Sequence, residues 1–484
     1  MHSDELTGPP DGPTATSGSV ALSPGGPRAS GSVALSDAEL AAFDRTIAKL
    51  RALSADDPVR LRTERVAGTF VREGRHHRRK VRREAARQAD AATVARAATG
   101  ALDRREDAPL VPRGTAAASP GSFVRPRRCY VCKQPYRQVD AFYHALCPDC
   151  AADNTARRAL TTDLSGRRVL LTGGRVKIGF QLALMMLRDG AELIVTSRFP
   201  HDTWRRFRAA EGSAKWLDRL TVAAVDLRDP RQVLGLCDEL RESGEPLDIL
   251  VNNAAQTIRR PASSYAPLMA GERGALPGGA TLKAPGFAPM GAELDPARGA
   301  LALVLPEEAE AAGLDEAGLL PDVSPANSWS ARLGGLDPAE LLETQLVNAL
   351  APALLCDRLL PLLLASPRPR RYVINVTAVE GRFAVRKKTG GHPHTNMAKA
   401  ALNMLTRTSA EELAAQGVHM CSVDTGWITD ENPAPLKARS AARGFRTPLD
   451  IVDGAARVYD PIVRGEAGDP VAGVFLKDYR AADW

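Results

Sequence analysis

RRVLLTGGRVKIGFQLALMMLRDG, residues 167–190, is the stretch from which the fold is read. A short apolar run containing β-branched Val169 gives way to a glycine turn, which opens onto a segment whose apolar residues recur at helical spacing. The reading is strand, tight turn, helix. In a parallel α/β unit such a turn aims backbone N–H groups and the positive end of the helix dipole at one spot, which favours a phosphate. Glycine is expected there so that an anion can approach the backbone closely. Turns of this kind are also common without a ligand, so the rest of the chain has to decide.

From Leu164 onward apolar runs and helical patterns alternate. Strands are predicted at 168–172, 191–198, 220–229 and 247–255, and helices at 178–189 and 230–243. The fold class is α/β, a doubly wound parallel sheet. With 484 residues, 44% of them hydrophobic, the chain has room for one large α/β domain, 161–484, plus appended segments. Residues 1–36, rich in Gly, Pro, Ser and Ala, read as disordered. Residues 37–120 read as a basic helical region and linker. Its first helix starts at Ser36, with Glu39 closing a capping box, and Leu40, Phe43, Ile47 and Leu50 form an apolar face expected to dock.

Residues 129–150, CYVCKQPYRQVDAFYHALCPDC, carry Cys129, Cys132, Cys147 and Cys150 as C-x2-C-x14-C-x2-C. Each C-x2-C lets two thiolates reach one tetrahedral ion from a tight turn, and two such knuckles complete a closed four-sulfur site. The expectation is a structural zinc ion in a module spanning 121–160, with Tyr130, Tyr136, Phe142 and Tyr143 as its small core and His144 as a bystander. The other cysteines, Cys237, Cys356 and Cys421, lie among apolar neighbours, so reduced thiols are expected throughout.

Residues 1–160 hold 26 Lys and Arg against 18 Asp and Glu, whereas 161–484 hold 38 against 39, so the basic character lies in the N-terminal third. Residues 72–83, REGRHHRRKVRR, form a polycationic run. One reading is a footprint for nucleic acid; the preferred one is a solvated helix face, because no aromatics interleave for base stacking. The first residues lack a basic region followed by an apolar one, and no apolar run approaches the roughly 20 residues that span a bilayer. A soluble cytoplasmic protein without membrane partners is expected.

The set TGGRVKIG, Asp226-Leu227, Asn252-Asn253-Ala254-Ala255, Asn348 in LVNALAPALL, the strand YVINVTAVEG, Lys399 in HTNMAKAALNM and the closing VDTGWITDENP resembles the short-chain dehydrogenase/reductase family over residues 164–480. The resemblance implies a Rossmann fold binding a nicotinamide dinucleotide. Implied cofactor contacts are Thr172, Gly173, Gly174, Arg175, Ile178, Gly179, Arg198, Asp226, Leu227, Asn252, Ala254, Lys399 and Gly426. An acidic residue at the end of the second strand would favour NAD(H). Here Ser197-Arg198 stands instead, and an arginine pairs with a 2′-phosphate, so NADP(H) is favoured over NAD(H). A homo-oligomer follows from family habit.

The departures from the family pattern bear on chemistry. Lys177 occupies the middle glycine of the phosphate turn. The resemblance implies a catalytic Asn, Ser, Tyr and Lys. Asn348 and Lys399 are present, but Thr395 stands at the Tyr position and Ala378, preceded by Thr377, at the Ser position. An aliphatic hydroxyl is a poor acid near neutrality, so His394 is the first candidate for proton donor, with Thr395, Thr377, His392 and Glu380 behind it. Between Ala255 and Asn348 lie 92 residues, more than the family needs. Within them 266–335 hold 19 Gly and Pro and 9 acidic against 4 basic residues, with one helix-like patch, LALVLPEEAEAAG. This insertion, beside the edge where substrate enters, is expected to be a lid or a partner-binding loop whose acidic charge is a candidate to meet the basic N-terminal third, or else disordered. The functional expectation is an oxidoreductase acting on a small carbonyl/alcohol pair. The alternatives are a cofactor-binding scaffold or redox sensor that engages a protein partner through the zinc module and, weaker, a nucleic-acid-binding protein.

Overall fold

The computed structural model describes residues 35–111, 119–276, 280–289, 313–385 and 388–484. The disorder expected for 1–36 and the helix-like patch at 301–313 therefore lie outside the described residues, apart from Leu35, Ser36 and Gly313. The chain divides into two compact units, Met1–Arg82 and Arg83–Trp484. In the first, helix α1 (Asp37–Ala52) begins with the expected capping box: Glu39 N donates to Ser36 Oγ, and Ser36 N to Glu39 Oε2. None of its residues is buried, and Leu40 and Phe43 are exposed, so the expected docking face is uncovered in this unit. Helix α2 (Pro58–Arg96) crosses the boundary between the units.

The second unit contains a small antiparallel pair, β1 (Gly121–Arg128) and β2 (Pro135–Val139), followed by α3 (Pro148–Arg157). The sheet follows, with β3 (Arg168–Leu171), β4 (Glu192–Ser197), β5 (Leu220–Ala224), β6 (Ile249–Asn252), β7 (Thr281–Lys283), β8 (Arg371–Thr377), β9 (Val418–Asp424), β10 (Phe475–Lys477) and β11 (Arg480–Ala482). Their spatial order is β11-β10-β9-β8-β6-β3-β4-β5-β7, parallel except for β11. The helices between them are α4 (Lys177–Arg188), α5 (Pro200–Ala209), α6 (Pro230–Glu242), α7 (Ala266–Gly271), α8 (Pro338–Gln345), α9 (Ala351–Ala365), α10 (Pro393–Ala415), α11 (Ala434–Ala442) and α12 (Ile451–Glu466).

Strand β3 shows why these residues form a doubly covered sheet. Successive side chains point to opposite faces, and all of them must be apolar when both faces are covered. Val169 and Leu171 join Leu182, Met186, Tyr459 and Ile462 on one side, while Leu170 joins Val233, Leu236, Leu355 and Leu359 on the other. Each such side chain is fully buried and contributes roughly 2 kcal/mol of transfer free energy. The run Pro338–Ala365 is long and apolar enough to cross a membrane by length and composition, although polar residues such as Asn348, Asp357 and Arg358 interrupt it; Leu355, Leu359 and Leu363 within it pack into the sheet core.

The chain leaves β3 toward β4 and β5, then returns to place β6 on the other side of β3. The crevice at the carboxyl ends of β3 and β6 is thus the switch point where ligands bind in open α/β sheets. One part of the insertion departs from the loop expectation: β7 adds to the sheet edge, with Val222, Ala223 and Ala224 in parallel register with Thr281, Leu282 and Lys283. Three residues are too few to read as a strand from periodicity.

Candidate active site

A cleft of about 990 Å³ opens along this switch point. At one end lies the glycine turn. Gly173 has φ 71°, a left-handed value that only glycine adopts without strain. A Cβ on Gly179 would lie 2.1 Å from Gly173 O, and one on Gly174 2.7 Å from Val195 Cγ1. The glycines are therefore required by packing of the turn against β4 and against itself, rather than by an approaching anion alone as the sequence suggested. Lys177 takes φ 53° at the position where the family pattern has glycine, and its Nζ lies 3.9 Å from Glu431 Oε1. Val176, which precedes α4, gives no side-chain cap, so the first N–H groups of the helix are open toward the cleft that Val176, Lys177, Ile178 and Gly179 line. This is the donor set a pyrophosphate requires.

Thr172 and Asn252 do not line the cleft; they brace it. Thr172 Oγ1 accepts from Asn253 N at 3.0 Å and Ala254 N at 2.9 Å. Asn252 Nδ2 donates to Asn375 Oδ1 at 2.8 Å, tying β6 to β8. The neighbouring Asn253 reaches the turn itself, donating from Nδ2 to the carbonyls of Thr172 and Gly173 at 3.0 and 3.1 Å. The family motif includes it, but the implied cofactor contacts name only its neighbours Asn252 and Ala254.

Farther along, Arg198, Asp226, Leu227 and Ala254 line the wall. The Arg198 guanidinium sits 5.8 Å from the Tyr265 ring centroid and 5.7 Å from that of Phe199. Burial opposes ionisation of Asp226, but Arg228 and Arg198 beside it hold its carboxyl below the usual range. Arg228 clamps both Asp226 oxygens, at 3.0 Å from Nε and 2.6 Å from Nη2. Arg175, expected to touch cofactor, lines the cleft with an engaged guanidinium: Nη1 donates to Asp202 Oδ2 at 2.6 Å and to Ala317 O at 2.8 Å.

At the other end Lys399, Thr395, Thr377 and Ala378 come together on the cleft wall. Lys399 Nζ donates to Val376 O at 2.8 Å, and burial pushes its pKa down to about 8 against the pull of Glu380. Thr395 Oγ1 is buried without a hydrogen-bond partner among the described residues. Thr377 Oγ1 donates to Lys399 O at 3.3 Å. Asn348 is not on the wall. It lies in a π-helical turn, Leu346–Leu350, and grips the Gln256 backbone, Oδ1 accepting from N at 2.6 Å and Nδ2 donating to O at 2.9 Å.

The histidines are placed elsewhere. His394 is fully buried outside the cleft lining, both ring nitrogens are unpartnered among the described residues, and burial lowers its pKa. His392 stacks on Trp329 at 4.1 Å and meets Trp329 O through Nδ1. Glu380 does line the cleft.

Gly426 lies in the segment after β9 and lines the cleft beside Tyr130, which comes from the cysteine module. The four cysteine sulfurs lie within 4.8 Å of one another, with Cys132 and Cys147 3.6 Å apart. Tetrahedral Zn–S bonds of ~2.3 Å imply S···S separations of about 3.8 Å, so the donors fit the ion. His144 is not part of this group; its Nδ1 is paired with Thr99 Oγ1 at 2.8 Å. Burial pushes the Tyr130 phenol up to about 12, which makes it a poor proton donor. Tyr130, Lys133, Lys477 and Trp329 are among the wall residues that sequence reasoning did not assign to the cleft; each belongs to a segment distant in sequence from the glycine turn, and no local signal marks it as cleft lining.

Profiles of two families match the chain: short chain dehydrogenase over residues 167–268 and Enoyl-(Acyl carrier protein) reductase over 318–447. An uncharacterized protein of Acanthamoeba polyphaga mimivirus is 30% identical over 354 residues, covering 69% of this chain and 71% of its own. The C-signal protein of Myxococcus xanthus is 29% identical over 136 residues, 28% of this chain and 80% of its own. Among solved structures, the RhlG/NADP complex of Pseudomonas aeruginosa is 22% identical, with a TM-score of 0.42 over 65% of this chain and 95% of its own.

Proposed function

From the premise that the chain belongs to the short-chain dehydrogenase/reductase family, we propose that it is an NADP(H)-dependent oxidoreductase of a carbonyl/alcohol pair, with Lys399 as its proton source. The observation that carries this reading is the pairing, in one cleft, of an uncapped helix N-terminus with a buried ammonium and, one helical turn from it, a hydroxyl that has no hydrogen-bond partner among the described residues. The bound nicotinamide would supply or take up the hydride. Val176 to Gly179 offer N–H groups to its pyrophosphate, and Arg198 offers a guanidinium to a 2′-phosphate where an acidic residue would repel it.

Lys399 Nζ holds a proton near its operating pH, which is the condition for an effective general acid. Thr395 Oγ1 lines the same wall with no partner among the described residues, which leaves it free to orient the substrate oxygen by hydrogen bonding while Lys399 supplies the proton; ionisation of the hydroxyl is not required. The hydroxyl of Thr377 stands in the neighbourhood where the family pattern has serine. His394, turned into the core, takes no part in this reading. The four cysteines hold a structural zinc ion, whose closed sulfur set leaves no position for substrate.

A second reading, a nucleotide-binding scaffold without turnover, is favoured by one observation: Ala378 brings no hydroxyl to the position at which the family polarises the carbonyl. One experiment separates the two. NADPH is titrated by fluorescence, and a panel of aldehydes and ketones is then screened for its oxidation across pH 6–10. Reduction should fall as pH rises through about 8, where Lys399 loses its proton, and alcohol oxidation should rise through the same value. Lys399→Met should remove turnover, and His394→Gln should keep it within about threefold. Tight NADPH binding with no turnover on any carbonyl would establish the scaffold instead, and absence of binding would defeat both readings.

A further inference from the structure

We propose that the four-cysteine knuckle is a working wall of the dinucleotide cleft, and that its zinc ion sets cofactor affinity by fixing Tyr130, Lys133 and the segment 425–430. This rests on the nucleotide-binding reading above. Between and just after the first two cysteines lie Tyr130, Val131 and Lys133, and two of these, Tyr130 and Lys133, line the cleft. The loop is a tight one: Cys129 N donates to Gln134 O, Lys133 N to Cys129 O, and Lys133 takes φ 63°. A sulfur-bound ion on Cys129 and Cys132 would therefore hold in place the loop that carries Tyr130 and Lys133.

Tyr130 has partners on the far wall. Its hydroxyl accepts from Trp427 N at 2.9 Å, and Lys477 Nζ lies 5.5 Å from its ring centroid while bonding Asp424 at the end of β9. It thus holds the segment that begins at Thr425 against the ends of β9 and β10.

The packing reaches the glycine turn as well. Tyr136, Phe142 and Tyr143 of the module form one apolar cluster with Ile428, Leu449 and Ile451, and Ile178 of the TGGRVKIG turn packs against it. The glycine turn and the segment after β9 therefore lean on a core that the module shares with the sheet, and an ion binding the module's four sulfurs would add its binding free energy to that core.

The test uses the full-length protein purified under reducing conditions. Elemental analysis should find one zinc per chain. Removing it with a strong chelator should weaken NADPH binding at least tenfold and speed amide exchange at 425–430 at least tenfold, with strands β4 and β5 still protected. Tyr130→Ala, which keeps all four sulfurs, should retain one zinc yet lose at least fivefold in NADPH affinity and protection at 425–430. Tyr130→Phe, which lacks only the acceptor for Trp427 N–H, should give a smaller loss of both.

If chelation unfolds the sheet, Tyr130→Ala decides. The proposal is overturned if the purified chain lacks zinc, or if Tyr130→Ala with zinc bound leaves affinity within twofold and exchange unchanged. If wild-type protein fails to bind NADPH at all, the functional reading falls, while zinc content and exchange still report on whether the knuckle holds the segment.

Discussion

Lys399 sits in the core with its ammonium directed at a backbone carbonyl, and its pKa falls to about 8 because burial disfavours the charged form more than Glu380 supports it. The unfolded chain would bind this proton up to about 10.4. Folding therefore works against a charge below pH 8, and that penalty disappears as pH rises from 8 toward 10.4. The penalty, with the hydrogen bond to Val376 O already counted in it, is on the order of 2–3 kcal/mol. Lys399→Met should thus abolish turnover and raise stability at pH 7 by about 2 kcal/mol in urea denaturation, with the gain vanishing near pH 10. A variant no more stable than wild type at pH 7 would contradict a depressed lysine.

Lys399 and Thr395 were legible as a pair because they stand four apart on a helix. The same periodicity argues against His394, which lies about 100° around the helix from Thr395 and so turns inward when Thr395 faces the cleft. The chemistry of imidazole drew attention to a side chain whose direction the helix had already fixed.

At the level of elements, the strand–turn–helix unit at 167–190 was readable because apolar periodicity and glycine are local signals. The purpose of each glycine was not, since it depends on β4 and on the end of β6, both brought in by the fold. Asn253 is the clearest case. The sequence marked its neighbour Asn252, yet β6 turns Asn252 into the core and leaves Asn253 to hold the turn through two carbonyls. Asn253→Ala removes both hydrogen bonds, a loss of about 1–2 kcal/mol, and frees the turn. The expected outcome is NADPH binding weakened by roughly tenfold with a Tm change of only a few degrees. Isothermal titration checks it; a variant that binds as tightly as wild type would mean that the turn is rigid without Asn253. The edge strand β7 illustrates the opposite limit: TLK carries no period of its own, and only pairing with β5 defines it.

At the level of the second unit, the sequence distinguished a cysteine module from a dinucleotide-binding sheet but could not show that they share a core, because the contacts span some 300 residues. The centre of that joint is Arg158. Its guanidinium meets Asp450 at 2.5 and 3.0 Å and Asp453 at 3.0 Å, and it donates to Leu110 O at 3.1 Å. Asp450 also caps α12, accepting from Val452 N and Asp453 N. Burial works against its charge, but Arg158 more than offsets this and holds the Asp450 carboxyl below its usual range. The stability from this carboxylate is therefore present above about pH 4 and is lost as pH falls through the depressed folded value. Arg158→Met keeps most of the packing over Phe142 but strands two buried carboxylates, a change expected to cost about 3–5 kcal/mol at pH 7.5. Because the stranded carboxylates now take up protons more readily than in the unfolded chain, the difference from wild type should narrow at pH 5.5. Urea denaturation at the two pH values distinguishes the causes: a gap that narrows toward acid identifies unpaired charge, whereas an equal gap would identify lost packing and remove Arg158 as the electrostatic joint between module and sheet.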